Sequence, residues 1–216
     1  MSSDQVAIPF SRRAFLSGAA AALPFIAEPA RASSFVALDR RPGDPAIPGD
    51  PRRLGTALDK LVKRVIPALD LVNANTRETA SVRFFGPDGY DVAALKDLDW
   101  FFRDWRQARA APMDVRLYWA LATMAQAARR DGHSGRITIN SGYRSHATND
   151  SLEGAARASM HLVGRAADFT VAGAPVDQVA NYASFLGVGG VGYYPGRFVH
   201  IDTGGFRKWT RDSVRP

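Results

Sequence analysis

Four histidines, His133, His146, His161 and His200, are the side chains from which chemistry near neutral pH would start. The chain has no cysteine, which excludes disulfides, iron–sulfur clusters and thiolate metal sites together. A metal would have to be held by imidazole and carboxylate. Two of the histidines stand in contexts that suit such a site. In Ser159-Met160-His161-Leu162-Val163-Gly164-Arg165-Ala166-Ala167-Asp168, a histidine on a loop is followed seven residues later by an aspartate entering an apolar strand. Gly164 lets the backbone turn sharply between them. Asp168 is flanked by Ala166, Ala167, Phe169 and Val171, where a carboxylate is costly unless something positive meets it. In Phe198-Val199-His200-Ile201-Asp202, strand alternation puts His200 and Asp202 on one face and Val199 and Ile201 on the other. His161, Asp168 and His200 would supply two nitrogens and one oxygen, which with a water form the open, catalytic kind of zinc site. Imidazole with carboxylate favours zinc over calcium or magnesium. Singly, each residue has a plainer reading: a lone histidine is more often a surface or core-satisfying residue, and Asp168 could pair with Arg165 or Arg144.

The elements that must position these residues follow from periodicity. Leu54, Leu58, Leu61, Val62 and Val65 have helical spacing, and two strand-like runs follow at Ala68–Asn75 and Ala80–Phe85, the second ended by the Gly86-Pro87-Asp88-Gly89 turn. Val92–Arg106 and Asp114–Arg129 read as helices; in the second, Leu117, Leu121, Met124 and Ala128 share a face, and Asp131-Gly132 is a fitting stop. Ile137–Asn140, Ala166–Val171, Gly190–Tyr194 and Phe198–Thr203 read as short strands, with a helix over Pro175–Phe185. With helices gathered early and strands late, the expected class is α+β: a small antiparallel sheet with helices packed on one side.

The pattern S-x-H-x-x-G-x-A-x-D, carried by Ser159, His161, Gly164, Ala166 and Asp168, resembles the signature of the zinc D-Ala-D-Ala peptidase superfamily, which also includes lysostaphin-type enzymes and the hedgehog signalling domain. Ser141-Gly142-Tyr143-Arg144-Ser145, Gly189-Gly190-Val191-Gly192-Tyr193-Tyr194-Pro195, and Phe198 to Gly204 with Trp209 beyond, are similar to the YcbK-like branch, murein endopeptidases of the periplasm. The resemblance covers most of Leu69 to Trp209. It implies a hedgehog/D-Ala-D-Ala peptidase-like fold, zinc on His161, Asp168 and His200, and hydrolysis of peptide bonds in peptidoglycan crosslinks, as endopeptidase or carboxypeptidase. Arg144 is then expected to stabilise the tetrahedral oxyanion, as a matching arginine does in relatives, against the alternative that it only pairs with Asp168 or Asp202. Three departures stand out. Proline is usual where His146 stands, so His146, in the polar run Ser145 to Ser151, is not expected to be a ligand. Histidine is common where Asn75 stands. Many relatives place an acid three residues before the last zinc histidine, as general base; here that residue is Arg197, and resemblance assigns no base. Asp202 is the nearest remaining carboxylate in sequence, either as proton acceptor or as the support of a zinc-bound histidine. Tyr193 and Tyr194 either line a substrate groove or pack.

The amino terminus decides the compartment. Ser11-Arg12-Arg13-Ala14-Phe15-Leu16, an apolar stretch from Leu16 to Ala27, and Pro29-Ala30-Arg31-Ala32 form charged start, short apolar centre and Ala-x-Ala end, in the order of a bacterial export signal. The paired arginines resemble a twin-arginine signal, which would make the Tat export machinery a partner during targeting. Residues 1–32 are thus expected to be the signal, 33–53 a flexible linker with prolines at 42, 45, 48 and 51, and 54–216 the peptidase domain. No apolar run is long enough for a stable membrane span. The formal net charge of +7 asks for an acidic partner. Export makes nucleic acid a poor candidate and leaves the cell wall and membrane surfaces as acidic partners; the resemblance implies peptidoglycan stem peptides in the periplasm. Two other classes remain open: a wall-binding module that keeps the fold without turnover, and an exported basic structural protein in which the ligand pattern is chance.

Overall fold

The computed structural model describes residues 56–211. The whole of the expected signal, residues 1–32, and of the expected linker, residues 33–53, lies outside the described residues. A short helix, α1 (Ala57–Val62), leads into β1 (Ala68–Asn73), which pairs antiparallel with β2 (Thr79–Arg83). The Asn73 carboxamide holds the turn between them by accepting from the backbone N–H groups of Asn75 and Thr76 at 2.9 and 3.1 Å. The Gly86–Gly89 turn closes a two-residue-per-strand hairpin of β3 (Phe85–Gly86) and β4 (Gly89–Tyr90).

Two helices follow, α2 (Val92–Phe101) and α3 (Val115–Arg130), capped by Asp91 and Asp114, whose carboxylates accept from the N–H groups of Ala94 and Arg116. The predicted stripe of α3 is real: Leu117, Leu121, Met124 and Ala128 are fully buried. Each leucine sequestered this way contributes about 1.5–3 kcal/mol. The remaining elements are β5 (Ile137–Ser141), α4 (His146–Ser151), a 3₁₀ turn (Met160–Val163), β6 (Ala166–Val171), α5 (Val176–Leu186), β7 (Gly190–Tyr194), β8 (Phe198–Asp202) and β9 (Arg207–Thr210).

The α+β class holds, but the expectation of a small antiparallel sheet does not. The main sheet has seven strands in the order β2-β1-β5-β6-β8-β7-β9, and it is mixed. β5 runs parallel to β1 because α2 and α3 carry the chain back over the sheet between them. β9, which the sequence pattern did not suggest, adds parallel to β7 at the far edge. Two segments depart further from expectation. The second helix stops at Phe101 instead of Arg106, because Asp104 and Arg109 bond to each other's backbone and fold the segment into a closed loop. Ser145–Ser151 is a helical turn, not a loop, with the Ser145 hydroxyl capping the N–H of Thr148.

Strand alternation divides the sheet into two faces. Leu69, Leu71, Ile137, Ile139, Ala167, Phe169, Val199 and Ile201 point into the core, where α3 and α5 pack. Asp168, His200 and Asp202 alternate with them and occupy the opposite face of β6 and β8. β6 and β8 are hydrogen-bonded neighbours whose register sets Asp168 directly opposite His200.

Candidate metal centre

His161 reaches this face from the 3₁₀ turn. Ser159 starts the turn by accepting from the His161 N–H, and Gly164 ends it at φ 67°. A side chain at 164 would be strained there, and its Cβ would fall 2.2 Å from the Pro112 carbonyl oxygen. Gly164 therefore does what the pattern suggested, turning the chain between His161 and Asp168.

The three candidate ligands converge. One donor atom from each of His161, Asp168 and His200 lies within 4.8 Å of the others, and all three residues are buried. His161 Nε2 is 3.3 Å from both His200 Nδ1 and Asp168 Oδ1, and His200 Nδ1 is 2.8 Å from that oxygen. The opposite ring nitrogens are committed. His161 Nδ1–H donates to the Gly142 carbonyl at 2.6 Å, and His200 Nε2–H donates to Asp202 Oδ2 at 3.1 Å. These bonds fix both tautomers and aim two lone pairs and a carboxylate oxygen at one point. Ligands about 2.0–2.1 Å from a tetrahedral zinc lie about 3.3 Å apart, close to the spacing of these atoms. The donor set fits zinc in both chemistry and spacing.

The electrostatics agree. Burial alone would raise the Asp168 carboxyl pKa; His161 and His200 reverse this and hold it well below the ordinary carboxylate range. Burial pushes His161 down toward the neutral form that can ligate. Burial also opposes charge on His200, but Asp168 and Asp202 outweigh it and raise its pKa. Two carboxylates thus draw positive charge to this ring, as a proton or as a metal ion.

The other expected residues fall into place around the centre. Arg144 pairs with Asp168 Oδ2, while its Nε donates to the Ser141 hydroxyl at 2.8 Å. Of the two partners the sequence allowed Asp168, Arg144 is the one that meets it; Arg165 bonds to Thr203. Asp202 lies behind His200 and is fully buried. Its Oδ1 accepts from the N–H groups of Gly190 and Gly204 at 3.1 and 2.8 Å, and Arg207 donates to both oxygens. Burial would raise its pKa, but the His200 bond and the backbone donors bring it down to about 2. His146 is exposed on α4 and is not among the three converging residues. Asn75 donates to the Asn140 carbonyl, on the strand next to the centre.

The centre opens into a groove of about 900 Å³. Tyr194 lines it, stacked on Phe198 with ring centroids 4.3 Å apart, whereas Tyr193 packs against the core. Trp209 forms another wall, 5.2 Å from the His200 ring.

Three contributors escaped sequence reasoning. Asp104 accepts from both the N–H and the hydroxyl of Ser145, at 3.0 and 2.7 Å, and so clamps the turn that carries Arg144. Arg207 braces Asp202. Gly192 faces His200 on one side and Trp209 on the other in strand register, leaving a slot over which the indole lies. The Gly192 and Trp209 positions do lie within the segments that carried the resemblance; for Asp104 and Arg207 no motif marks the role.

The model of the family described as peptidoglycan L,D-endopeptidase MepK matches residues 63–209. The peptidoglycan L,D-endopeptidase MepK of Escherichia coli K12 is 38% identical over 146 residues, 65% of this chain and 79% of the relative. The probable peptidoglycan L,D-endopeptidase MepK of Haemophilus influenzae is 37% identical over 142 residues, 63% of this chain and 75% of the relative. The family match and these relatives place the chain among the peptidases of the D-Ala-D-Ala peptidase superfamily, in the murein endopeptidase branch that the sequence resembled, and the fold and site are consistent with it. Within that branch, the chain belongs to the peptidoglycan L,D-endopeptidase MepK family.

Proposed function

We propose that this chain is a zinc-dependent peptidoglycan L,D-endopeptidase, exported to the periplasm by the Tat machinery and acting on crosslinked stem peptides. An L,D bond joins an L-configured carboxyl side to a D-configured amine, as in a crosslink between two diaminopimelates; the D-Ala to diaminopimelate crosslink is D,D. The carrying observation is the convergence of His161 Nε2, Asp168 Oδ1 and His200 Nδ1, with both imidazole protons committed elsewhere, at the base of a groove.

Zinc held by these three residues would polarise the scissile carbonyl and lower the pKa of a bound water. The protein's own part is positional. The Gly142 carbonyl holds the His161 ring in its ligating tautomer, and Asp202 does the same for His200. Asp168 divides its oxygens, Oδ1 toward the histidines and Oδ2 toward Arg144. Arg144, pinned by Asp168 and Ser141, keeps a cation at the groove floor where negative charge develops on the substrate carbonyl oxygen. We assign Asp202 to support and not to proton transfer, because it is enclosed behind the ring with both oxygens engaged.

Digestion of purified sacculi, with and without a chelator, tests the reading. New L,D-cleaved ends should appear, vanish on chelation and return with zinc. Metal analysis should find one zinc per chain, absent in His161→Ala and His200→Ala and retained in His146→Ala. Stoichiometric zinc without release of new ends would make the chain a wall-binding module. Zinc retained by both ligand variants would overturn the site itself.

A further inference from the structure

This inference rests on the reading of the chain as an L,D-endopeptidase and names what its groove selects. Five cations line the groove, Arg144, Arg197, Arg207, Lys208 and Arg211. Two are neutralised within the protein, Arg144 by Asp168 and Arg207 by Asp202. The other three meet no carboxylate among the described residues. Arg211 donates to the Gly154 carbonyl at 3.0 Å. Arg197 lies over the Phe198 ring, 5.5 Å from its centroid, and Phe198 is itself stacked on Tyr194. A guanidinium seated on a ring face is oriented without using up its N–H edge. Against these charges the groove offers Asp168, already engaged, and Glu153. A concave surface with excess charge of one sign focuses its field on a ligand of the opposite sign.

We propose that this wall of the groove, with Arg197 as anchor, binds the free carboxylate that a crosslink carries beside its scissile bond. When the amine of a diaminopimelate D-centre is acylated, the carbon that bears the scissile nitrogen also bears a carboxylate. A guanidinium grips such a group through two parallel N–H···O bonds. Amidation of that carboxylate keeps its shape but removes its charge and turns one acceptor into a donor that faces the guanidinium. The protein therefore distinguishes walls whose diaminopimelate carboxylates are free from walls in which they are amidated.

The test uses two crosslinked muropeptide dimers that differ only in that carboxylate, free or amidated. Each is offered to the zinc-loaded wild type, Arg197→Gln and Arg197→Lys. Hydrolysis is followed by chromatography. Affinity for the corresponding amine product, which keeps the group in question, is measured by calorimetry. The wild type should prefer the free acid about ten- to a hundredfold in kcat/KM and in product affinity, the scale of one charge-assisted hydrogen bond. In Arg197→Gln the ratio should fall close to one, and Arg197→Lys should keep part of it. Equal treatment of both compounds by the wild type overturns the proposal. So does an Arg197→Gln variant that loses on both alike, which is the behaviour of a structural residue. If neither dimer is cleaved but Arg197 still discriminates between the products, the anchor stands and the hydrolytic reading falls.

Discussion

Asp202 has no exposed surface, and each of its oxygens already accepts more than one hydrogen bond. A carboxylate so enclosed cannot take a proton from a water in the groove, but it can hold an imidazole. Asp202→Asn should therefore lower zinc affinity about ten- to a hundredfold, the usual cost of removing a ligand's supporting partner, while excess zinc restores most of the rate. Competition with a metallochromic indicator measures the first and sacculus digestion the second. Unchanged zinc affinity with a loss of about a hundredfold in turnover would return Asp202 to the role of base. The three converging side chains were legible as candidates in sequence, from a histidine after a turn, an aspartate in an apolar strand and a histidine in an alternating strand, and the motif resemblance grouped them. Arg207 was not. Its meaning lies in a bond to a buried carboxylate made across a loop, and nothing in Arg207-Lys208-Trp209 distinguishes it from an ordinary exposed cation.

At the scale of elements, strand register is the device that builds the site. Asp168 and His200 are paired across β6 and β8, and the row continues from His200 through Gly192 to Trp209. A Cβ at Gly192 would lie 2.6 Å from the indole ring, so Gly192→Ala must push Trp209 away from His200. Destabilisation of about 1–3 kcal/mol is expected, as for other overpacked sites, together with a change in tryptophan fluorescence. Thermal melts and emission spectra check both, and Trp209→Ala in the same chain should relieve the strain. The loop from Phe102 to Arg109 contributes differently, through Asp104. Burial raises the pKa of this carboxyl, but the hydrogen bonds it accepts, those from Ser145 among them, bring it below the ordinary value. A depressed folded-state pKa stabilises above the unfolded value of roughly 3.9, and that stability is lost as pH falls through the lower folded value. Asp104→Asn should thus be less stable than wild type at neutral pH and lose less between about pH 5 and 2, as read by denaturant titrations across that range. It should also slow turnover more than it weakens zinc binding, since it frees the Arg144 turn and leaves the ligands in place. Periodicity gave most helices and strands, but not β9 or the parallel pairing of β1 with β5. The order of strands in a sheet is set by which edges the helices leave open, and four residues such as Arg207–Thr210 carry too little alternation to declare themselves.

At the scale of the whole molecule, the candidate centre is assembled from parts distant in sequence. His161, Asp168 and His200 become neighbours only when β6 and β8 pair, and the Gly142 and Asp202 partners join through the same sheet. A chain that crosses a membrane unfolded would have to gather zinc afterwards, from whatever the periplasm offers. Export after folding lets the centre form first, and the absence of cysteine means that no oxidising compartment is needed for folding. No helix of the described residues is long and apolar enough to cross a membrane. The pair Arg12-Arg13 before Ala14-Phe15-Leu16 is the feature that a folded-export receptor would read. Replacing both arginines by lysine keeps the charge of this segment, so an ordinary secretion route, which asks only for a positive start and an apolar centre, would still process the chain. Under the twin-arginine reading the Arg12→Lys, Arg13→Lys precursor should accumulate uncleaved inside the cell, folded and zinc-loaded. Fractionation with immunoblotting, and metal analysis of the trapped form, read both points. Normal processing of the double variant would assign the chain to the unfolded route and move zinc acquisition outside the cytoplasm. Removal of residues 1–32 takes away Arg12, Arg13 and Arg31 with Asp4 and Glu28, which lowers the formal charge only from +7 to +6. A protein exported and cleaved after Ala32 would thus meet an acidic polymer with its positive excess almost intact, and its digestion of sacculi should slow as ionic strength rises.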